Sequence, residues 1–304
     1  MVVTLIVDPV DKTLIEHLRA EGIEVVEDLD LDRAGLLEKV KEVDALVVRG
    51  RTQVDAEVIR AGTKLKIIAR YGVGLDNIDT KTAKEEGVFV ANAAAAPAQS
   101  VAELTITLML AVLRKIPVGD TGLRKGEWLK KQLTGKTLNG KTLGIVGTGA
   151  IGQIVAKIAM AFGTKVIGYD VILYDEVREM GVKYVSFEEL LTQADIITIH
   201  VPLLPSTAKM FNAETFKKMK PGVIIINTSR GGVIDQAALY SALKTGELGG
   251  AGLDVFETEP PGEDPLFKLD NVVVTPHIAG QTHEAQEAIG EIIAQQILDK
   301  LMHP

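Results

Sequence analysis

Residues 143–152 read Leu-Gly-Ile-Val-Gly-Thr-Gly-Ala-Ile-Gly, and the apolar residues at its start predict a buried strand. The residues after 150 have the spacing of a helix, so the glycines lie at a strand-to-helix turn. In that context Gly147 permits a tight turn, Gly149 lets a pyrophosphate approach the backbone, and Gly152 allows close helix–strand packing. The stretch predicts a dinucleotide-binding unit; the alternative is a glycine turn that binds nothing.

A carboxylate stands at the end of the next predicted strand. Asp170 follows Gly152 by 18 residues, the spacing at which an acid binds the adenosine ribose and repels a 2′-phosphate. Neither Val171 nor Ile172 could balance such a phosphate. We therefore expect NAD and not NADP, the alternative being that Asp170 is a solvated strand end.

Strand-like and helical segments alternate along the chain, and the strand-like runs are apolar throughout, as in parallel sheets covered on both faces. We expect an α/β fold of two doubly wound parallel-sheet domains around a cleft. A flavodoxin-like substrate domain would comprise residues 1–98 plus 283–304, and a Rossmann-like cofactor domain residues 99–282. The helix between them, 99–116, has Ser100 as its expected N-cap and ends at Pro117.

Composition excludes several classes of function. The chain has 304 residues with a formal net charge of −8, and no basic patch that would favour nucleic acid or membrane binding. Cysteine is absent, and no histidine–carboxylate spacing resembles a metal site, so we expect no metal. The longest apolar stretch, 104–113, is too short to span a bilayer. A soluble, cytoplasmic protein with a small-molecule substrate is expected.

Polar groups follow three predicted strands of the second domain. Arg230 comes after the run 223–226, Glu259 after 250–253, and His277 after 272–275. An imidazole can exchange a proton with a carbonyl or hydroxyl oxygen, a neighbouring carboxylate favours its charged form, and a guanidinium holds a substrate carboxylate. Each residue alone could be solvated; together they favour hydride transfer to a 2-oxo acid.

Seven segments give the chain a resemblance to the D-isomer-specific 2-hydroxyacid dehydrogenases, and within them to short phosphoglycerate dehydrogenases. They are Arg70–Asn77, Gly147–Gly152, His200–Leu203, Asn227–Gly231, Asp254–Phe256, Glu259–Pro260 and Thr275–Gly280. In the family, the segment that starts at Asn92 normally reads Asn, a small residue, Pro and Gly. Here the proline is displaced by three positions, to Pro97. Longer members carry a serine-binding regulatory domain, which we do not expect here.

The resemblance implies functional residues at matching positions. The catalytic group would be Arg230, Glu259 and His277. Cofactor contacts would come from Gly147, Gly149, Ala150, Ile151, Gly152, Asp170, His200, Val201, Pro202, Thr207, Thr228, Ser229, Arg230, Asp254, His277 and Gly280. His200 is expected to act through its backbone, and Asp254 to bind the nicotinamide carboxamide. Substrate contacts would come from Arg49, Arg70, Val73, Gly74, Asn92, Arg230 and His277.

The expected activity is NAD-dependent oxidation of D-3-phosphoglycerate to 3-phosphohydroxypyruvate, in serine biosynthesis. A doubly charged phosphate requires local cations on an acidic protein, and Arg49 and Arg70 both follow strands of the first domain. Arg49, beside Arg51, could instead be a solvated loop cation. The alternatives are a glyoxylate/hydroxypyruvate reductase, a D-lactate dehydrogenase, or a non-enzymatic NAD(H)-sensing protein. The resemblance also implies a homodimer through the helix 101–113 and the arm with Trp128.

Overall fold

The computed structural model describes residues 2–94 and 96–302. It divides into two compact units, one formed by Met1–Ala98 with Gly280–Pro304 and the other by Gln99–Ala279. The second unit ends three residues before the expected boundary at 282. Ala95, in the loop where the proline is displaced, lies outside the described residues.

The first unit is built on a sheet of five parallel strands in the order β2-β1-β3-β4-β5. The strands are β1 Val3–Ile6, β2 Glu24–Glu27, β3 Ala45–Val48, β4 Ile67–Arg70 and β5 Phe89–Asn92. All four residues of the central strand β3 are fully buried. Helices must therefore cover both faces of the sheet, which explains why β3 is apolar without alternation.

Four helices of the first unit each begin after an aspartate. They are α1 Lys12–Ala20, α2 Arg33–Lys39, α3 Ala56–Ala61 and α4 Thr80–Glu85. The carboxylates of Asp11, Asp32, Asp55 and Asp79 accept hydrogen bonds from N–H groups of the first turns. A carboxylate at this position satisfies an otherwise unpaired donor and favours the positive end of the helix dipole.

The second unit is built on a sheet of seven parallel strands in the order β12-β11-β10-β9-β6-β7-β8. The strands are β6 Thr142–Val146, β7 Lys165–Tyr169, β8 Lys183–Tyr184, β9 Ile196–Ile199, β10 Val223–Asn227, β11 Leu248–Leu253 and β12 Val272–Val274. The strand order reverses at β6, the position where α/β sheets bind ligands. The expectation of two doubly wound parallel sheets is confirmed.

Seven helices belong to this part of the chain: α5 Ala98–Arg114, α6 Ile116–Arg124, α7 Ala150–Ala161, α8 Asp175–Glu179, α9 Phe187–Gln193, α10 Ala213–Lys217 and α11 Gln236–Thr245. The expected N-cap at Ser100 is wrong. Ser100 lies inside α5, where its hydroxyl donates to the carbonyl of Ala279 at 2.5 Å. Pro117 lies in the first turn of α6, a position that proline favours because its missing N–H is not needed there.

The last helix, α12 His283–Met302, packs within the first unit. Its Ile289, Ile293 and Ile297 share one core with Leu14 and Leu18 of α1. Among the described residues, no helix is long and apolar enough to cross a membrane.

Candidate active site

The glycine loop after β6 has the three properties that a pyrophosphate-binding turn needs. Gly147 has a φ of 94°, and a Cβ added to it would lie 2.6 Å from the carbonyl oxygen of His200. A Cβ on Gly152 would lie 2.2 Å from the Gly147 oxygen, so the helix start packs directly on the strand end. A Cβ on Gly149 would meet no heavy atom within 4 Å. The backbone at Gly149 is thus open to a phosphate, and the residues fit a dinucleotide.

Helix α7 begins at this loop with Gly149 as its N-cap, which has no side chain to bond the first-turn N–H groups. The expected contacts Ala150 and Ile151 occupy that first turn. Unpaired N–H groups and the positive end of a 12-residue helix favour an anion at this position.

Asp170, just after β7, is joined to the glycine loop. Its Oδ2 accepts hydrogen bonds from the N–H of Thr148 at 2.6 Å and from the Thr148 hydroxyl at 3.2 Å, and its Oδ1 accepts one from the Ile172 N–H at 3.1 Å. A carboxylate has about four acceptor positions, so one remains for a ribose hydroxyl. Val171 and Ile172 are exposed and bring no cation that could bind a 2′-phosphate.

His200 and the segment after it border the glycine loop. The His200 N–H donates to the Val146 carbonyl at 2.7 Å, and the Val201 side chain lies 3.0 Å from the position of a Cβ on Gly147. Burial of the ring lowers the pKa of His200 to about 3, so the imidazole is neutral at physiological pH. His200 therefore cannot serve as the protonated acid, and its contribution here comes from its backbone.

Thr207 holds the loop that begins at Pro202. Its hydroxyl donates to the Pro202 carbonyl at 2.6 Å and accepts from the Leu204 N–H at 2.8 Å. This hydroxyl shapes the loop next to the glycines, and any contact to a cofactor would be additional.

The three expected catalytic residues follow three neighbouring strands. Arg230 follows β10, Glu259 follows β11 and His277 follows β12, and the three strands are adjacent and parallel. The Nδ1 atom of His277 lies 2.7 Å from Oε2 of Glu259. The other oxygen of Glu259 accepts a hydrogen bond from the Phe256 N–H at 3.1 Å. The carboxylate is thus oriented by its own loop toward the imidazole.

The charge of Glu259 is stabilised in this arrangement. Partial burial raises its pKa, but the hydrogen bond from His277, together with the charges of His277 and Arg230, outweighs burial and keeps the pKa below its ordinary value. Glu259 is therefore ionised at neutral pH. An ionised partner on Nδ1 orients the imidazole and leaves Nε2 to exchange a proton with a substrate oxygen.

The loop that carries His277 is fixed by a buried carboxylate. Asp254 is fully buried, and its side chain accepts hydrogen bonds from the Thr275 hydroxyl at 2.5 Å and from the N–H groups of Ile278 and Ala279, both at 2.9 Å. His277 itself has a φ of 53°, a left-handed conformation that costs energy in a residue with a side chain. Asp254 holds this strained turn, and one acceptor position of its carboxylate remains for a carboxamide.

Gly231 brings the Arg230 turn onto the Glu259 loop, a role that the sequence analysis missed. A Cβ on Gly231 would lie 1.9 Å from the carbonyl carbon of Phe256, so the two backbones touch. A glycine directly after a charged residue at a strand end is the signal that could have indicated this close approach.

The neighbours Thr228 and Ser229 use their side chains within the fold. The Thr228 hydroxyl is buried 2.9 Å from the Thr105 hydroxyl. Both the N–H and the hydroxyl of Ser229 donate to the side-chain oxygen of Asn227, at 3.0 and 2.8 Å. The Arg230 guanidinium donates to the Ser229 carbonyl at 2.7 Å.

In the first unit, Arg49 follows β3, whereas Arg70, expected after its strand, is the last residue of the neighbouring strand β4. The Arg49 guanidinium lies over the ring of Tyr71, with 5.8 Å from Cζ to the ring centroid, and reaches the Pro9 carbonyl at 3.5 Å. The Arg70 Nη1 atom donates to the Tyr71 carbonyl at 2.7 Å. A Cβ on Gly50 would lie 3.7 Å from Arg70 Nη2, so the Arg70 side chain reaches the loop that begins at Arg49.

Val73 and Gly74 form the turn after β4, and Asn92 holds this turn from β5. The Asn92 side-chain amide donates to the Val73 carbonyl at 2.6 Å. Within residues 2–94 and 96–302, the N–H groups of Val73 and Gly74 donate no hydrogen bond. Two adjacent unpaired N–H groups form a site that suits a carboxylate.

Two remaining expectations concern Gly280 and metals. Gly280 belongs to the first unit, where its carbonyl accepts a hydrogen bond from the Gln286 side chain at 2.7 Å. In the part of the chain that the structure describes, no cluster of three or more His, Asp or Glu side chains could hold a metal ion.

Comparison with known proteins places this geometry in a family. Residues 106–279 match the family model described as "D-isomer specific 2-hydroxyacid dehydrogenase, NAD binding domain". Over 98% of the chain, it is 50% identical to the D-3-phosphoglycerate dehydrogenase of Methanocaldococcus jannaschii, but it spans only 57% of that protein's length. Over 97% of the chain, it is 48% identical to the hydroxypyruvate reductase of Thermotoga maritima and covers 96% of that protein.

The crystal structure of a relative that contains NAD has the same fold. The crystal structure of D-lactate dehydrogenase from Aquifex aeolicus, complexed with NAD and lactic acid, superimposes with a TM-score of 0.87. The two sequences are 31% identical, and the match covers 99% of this chain and 96% of the other. The chain therefore belongs to the D-isomer specific 2-hydroxyacid dehydrogenase family and contains the NAD-binding domain of that family.

Proposed function

We propose that the protein oxidises D-3-phosphoglycerate to 3-phosphohydroxypyruvate with NAD, a reaction that supplies serine biosynthesis. The observation that carries this proposal is the placement of Arg49 and Arg70 at the carboxyl ends of adjacent strands of the first unit, with Arg70 reaching the loop that begins at Arg49. The phosphoglycerate dehydrogenase of M. jannaschii, 50% identical over 98% of this chain, supports the same substrate.

The residues of the second unit carry out the oxidation at carbon 2 of the substrate. Arg230 binds the substrate carboxylate and polarises the neighbouring oxygen. The Nε2 atom of His277 accepts the hydroxyl proton as the carbonyl forms, and Glu259 stabilises the imidazolium that results. NAD, held by the glycine loop and Asp170, would supply the acceptor for the hydride that leaves carbon 2 of the substrate. In the reverse direction the His277 imidazolium returns the proton to the oxygen.

The first unit has two sets of groups that suit anions. The adjacent N–H groups of Val73 and Gly74, in a turn that Asn92 keeps in place, suit a carboxylate. Arg49 and Arg70 bind the phosphate through charge-assisted hydrogen bonds. Because the chain has a net charge of −8, a dianion needs such local cations.

A second candidate is reduction of hydroxypyruvate or glyoxylate. The observation that favours it is the match to the T. maritima hydroxypyruvate reductase, which extends over 96% of that protein. The same Arg230, Glu259 and His277 would serve this reaction, and Arg49 and Arg70 would then have no phosphate to bind.

Substrates that differ only in the phosphoryl group separate the two candidates. We expect Arg49→Ala and Arg70→Ala each to raise KM for 3-phosphohydroxypyruvate about 10- to 100-fold, the effect of one charge-assisted hydrogen bond. The KM for hydroxypyruvate should change much less. Arg60→Ala, which removes an exposed arginine paired with Glu86, is the matched control and should leave both values unchanged. If KM rises by the same factor for both substrates in both variants, the assignment of Arg49 and Arg70 to the phosphate is wrong.

The protein also forms a homodimer in this proposal, through the region of Trp128. The helix 101–113, also expected at the interface, instead buries Ile106, Met109 and Leu113 in a core of the second unit. Ile116 and Leu123 of α6 and Trp128 after it expose 56%, 62% and 78% of their surfaces, far more than large apolar side chains normally do. Burial between two copies would remove this surface from water. Sedimentation at micromolar concentration should give a dimer, and Trp128→Glu should shift it toward monomer. A monomeric wild-type protein contradicts this part of the proposal.

A further inference from the structure

The loop Arg49–Thr52, which follows β3, is held on one side by a buried carboxylate. Asp8, after β1, is fully buried. Its Oδ2 accepts hydrogen bonds from the N–H groups of Arg49 at 2.6 Å and Thr52 at 3.3 Å. Its Oδ1 accepts from the Thr52 hydroxyl at 2.9 Å and from Nε of Arg51 at 3.0 Å. All four acceptor positions of the carboxylate therefore serve this one loop.

The same loop is held on the other side by a buried amide. The Asn77 side chain, 8% exposed, donates to the carbonyls of Arg49 at 2.9 Å and of Thr52 at 2.6 Å. Asp8 follows β1 and Asn77 lies after β4, the two strands that flank β3. The first and last residues of the loop thus have both their N–H and their carbonyl bonded to buried side chains, an arrangement that we name the Asp8–Asn77 clamp.

The two arginines of this loop have different roles. The Arg51 guanidinium bonds Asp8 and also donates to the carbonyls of Val7 at 2.7 Å and Leu29 at 2.6 Å, so it neutralises the buried carboxylate. The Arg49 guanidinium has one long hydrogen bond, to Pro9 at 3.5 Å, and the face of Tyr71. Arg51 completes the clamp, whereas the Arg49 head group remains able to bind a ligand.

The geometry points to Asp8 and Asn77 as positioning residues that determine selectivity for the anionic end of the substrate, by fixing the backbone of Arg49. This inference rests on the proposed function, in which Arg49 binds the phosphate. A cation on a loop that is already ordered loses little conformational entropy when an anion binds, whereas the same cation on a loose loop must be ordered by the ligand. Neither Asp8 nor Asn77 contacts the substrate in this account.

Steady-state kinetics with 3-phosphohydroxypyruvate and hydroxypyruvate test the inference. Asn77→Ala removes both donors, and Asp8→Asn replaces an acceptor oxygen by an amide that faces donors. In either variant we expect the ratio of kcat/KM for the phosphorylated to the unphosphorylated substrate to fall about 10-fold, mostly through KM. Asp44→Asn, which alters a carboxylate at the opposite end of β3 that accepts a hydrogen bond from the Val3 N–H at 3.0 Å, is the control and should keep the wild-type ratio.

A double-mutant cycle separates positioning from general damage to the fold. In an Arg49→Ala background, the clamp variants should lower the ratio by less than about 2-fold further, because there is no guanidinium left to position. Hydrogen exchange of the peptide that contains Arg49–Thr52 should be faster in the clamp variants than in Asp44→Asn. If Asp8→Asn does not fold, Asn77→Ala still tests the positioning role by both kinetics and hydrogen exchange.

The possible results distinguish failure of the proposed function from failure of the positioning role alone. An Arg49→Ala variant with the wild-type ratio contradicts the proposed function, and the inference fails with it. If Arg49→Ala lowers the ratio while the clamp variants keep it, or if the clamp variants lower it equally in the Arg49→Ala background, the positioning role alone is wrong. Unchanged hydrogen exchange of the loop in both clamp variants also contradicts it.

Discussion

The Nδ1 atom of His277 lies 2.7 Å from Oε2 of Glu259, although the two residues follow different strands, β12 and β11. The pair depends on two further contacts: Asp254 holds the left-handed turn at His277, and the Phe256 N–H orients Glu259. A carboxylate bonded to Nδ1 should stabilise the charged imidazole that donates a proton to a 2-oxo acid.

The Glu259→Gln variant should therefore lower kcat for 2-oxo acid reduction by about 10- to 100-fold. The neutral amide can hold Nδ1 of His277 but brings no charge to stabilise the imidazole when it carries the transferred proton. The pKa of Glu259 lies below its ordinary value, so Glu259 is ionised throughout the neutral range, and the loss should be the same across that range.

His277→Asn is the reference variant for this measurement and should lower turnover by about 10²- to 10⁴-fold, the usual contribution of a general acid. Its affinity for NADH, measured by fluorescence titration, should be retained. A kcat of Glu259→Gln that equals that of the wild type removes Glu259 from the proposed mechanism.

Gly231→Ala should lower kcat by about 10²-fold, since a displacement of about 1 Å at a catalytic group can cost that much. The new Cβ would lie 1.9 Å from the Phe256 carbonyl carbon, and the Arg230 turn or the Glu259 loop must move. Gly232→Ala is the matched control, because its Cβ would meet only the end of the Leu203 side chain, at 3.0 Å. If Gly231→Ala and Gly232→Ala have equal kcat, the close approach of the Arg230 turn to the Glu259 loop does not affect catalysis.

Asp170→Ala should reduce the preference for NAD over NADP. The substitution removes a ribose acceptor and a charge that repels a 2′-phosphate, so kcat/KM for NAD should fall about 10-fold or more and that for NADP much less. Asp175→Ala removes an exposed carboxylate paired with Arg178 and controls for the loss of charge nearby. A wild-type enzyme that uses both cofactors equally well contradicts the role of Asp170.

The strands and their polar ends could be predicted from local sequence. Strand β3 is observed at Ala45–Val48, the segment that its apolar residues predict, and Arg230 and His277 follow strands as expected. Such features depend on hydrophobic runs of four to six residues and on the rule that parallel strands end at one edge of a sheet. The two-residue strand β8, Lys183–Tyr184, is too short to give a signal of this kind.

Long-range polar contacts could not be predicted in the same way. Ser100 has the spacing of an N-cap, but its hydroxyl bonds Ala279, which is 179 residues away in the sequence. Arg51 bonds a buried carboxylate and Arg49 does not, and this difference depends on contacts to Asp8 and Asn77. These residues lie 41 and 28 positions from Arg49 in the sequence. A local pattern contains no information on such partners, so it shows which residues are polar and not what each one binds.

The kcat/KM of the wild-type enzyme for a panel of 2-oxo acids with NADH tests whether the substrate carries a phosphate. The panel comprises 3-phosphohydroxypyruvate, hydroxypyruvate, glyoxylate and pyruvate, followed at the NADH absorbance band. We expect 3-phosphohydroxypyruvate to exceed hydroxypyruvate by about 10-fold or more, the contribution of one or more charge-assisted hydrogen bonds. A preference for hydroxypyruvate or glyoxylate over the phosphorylated substrate would contradict the claim and favour the reductase.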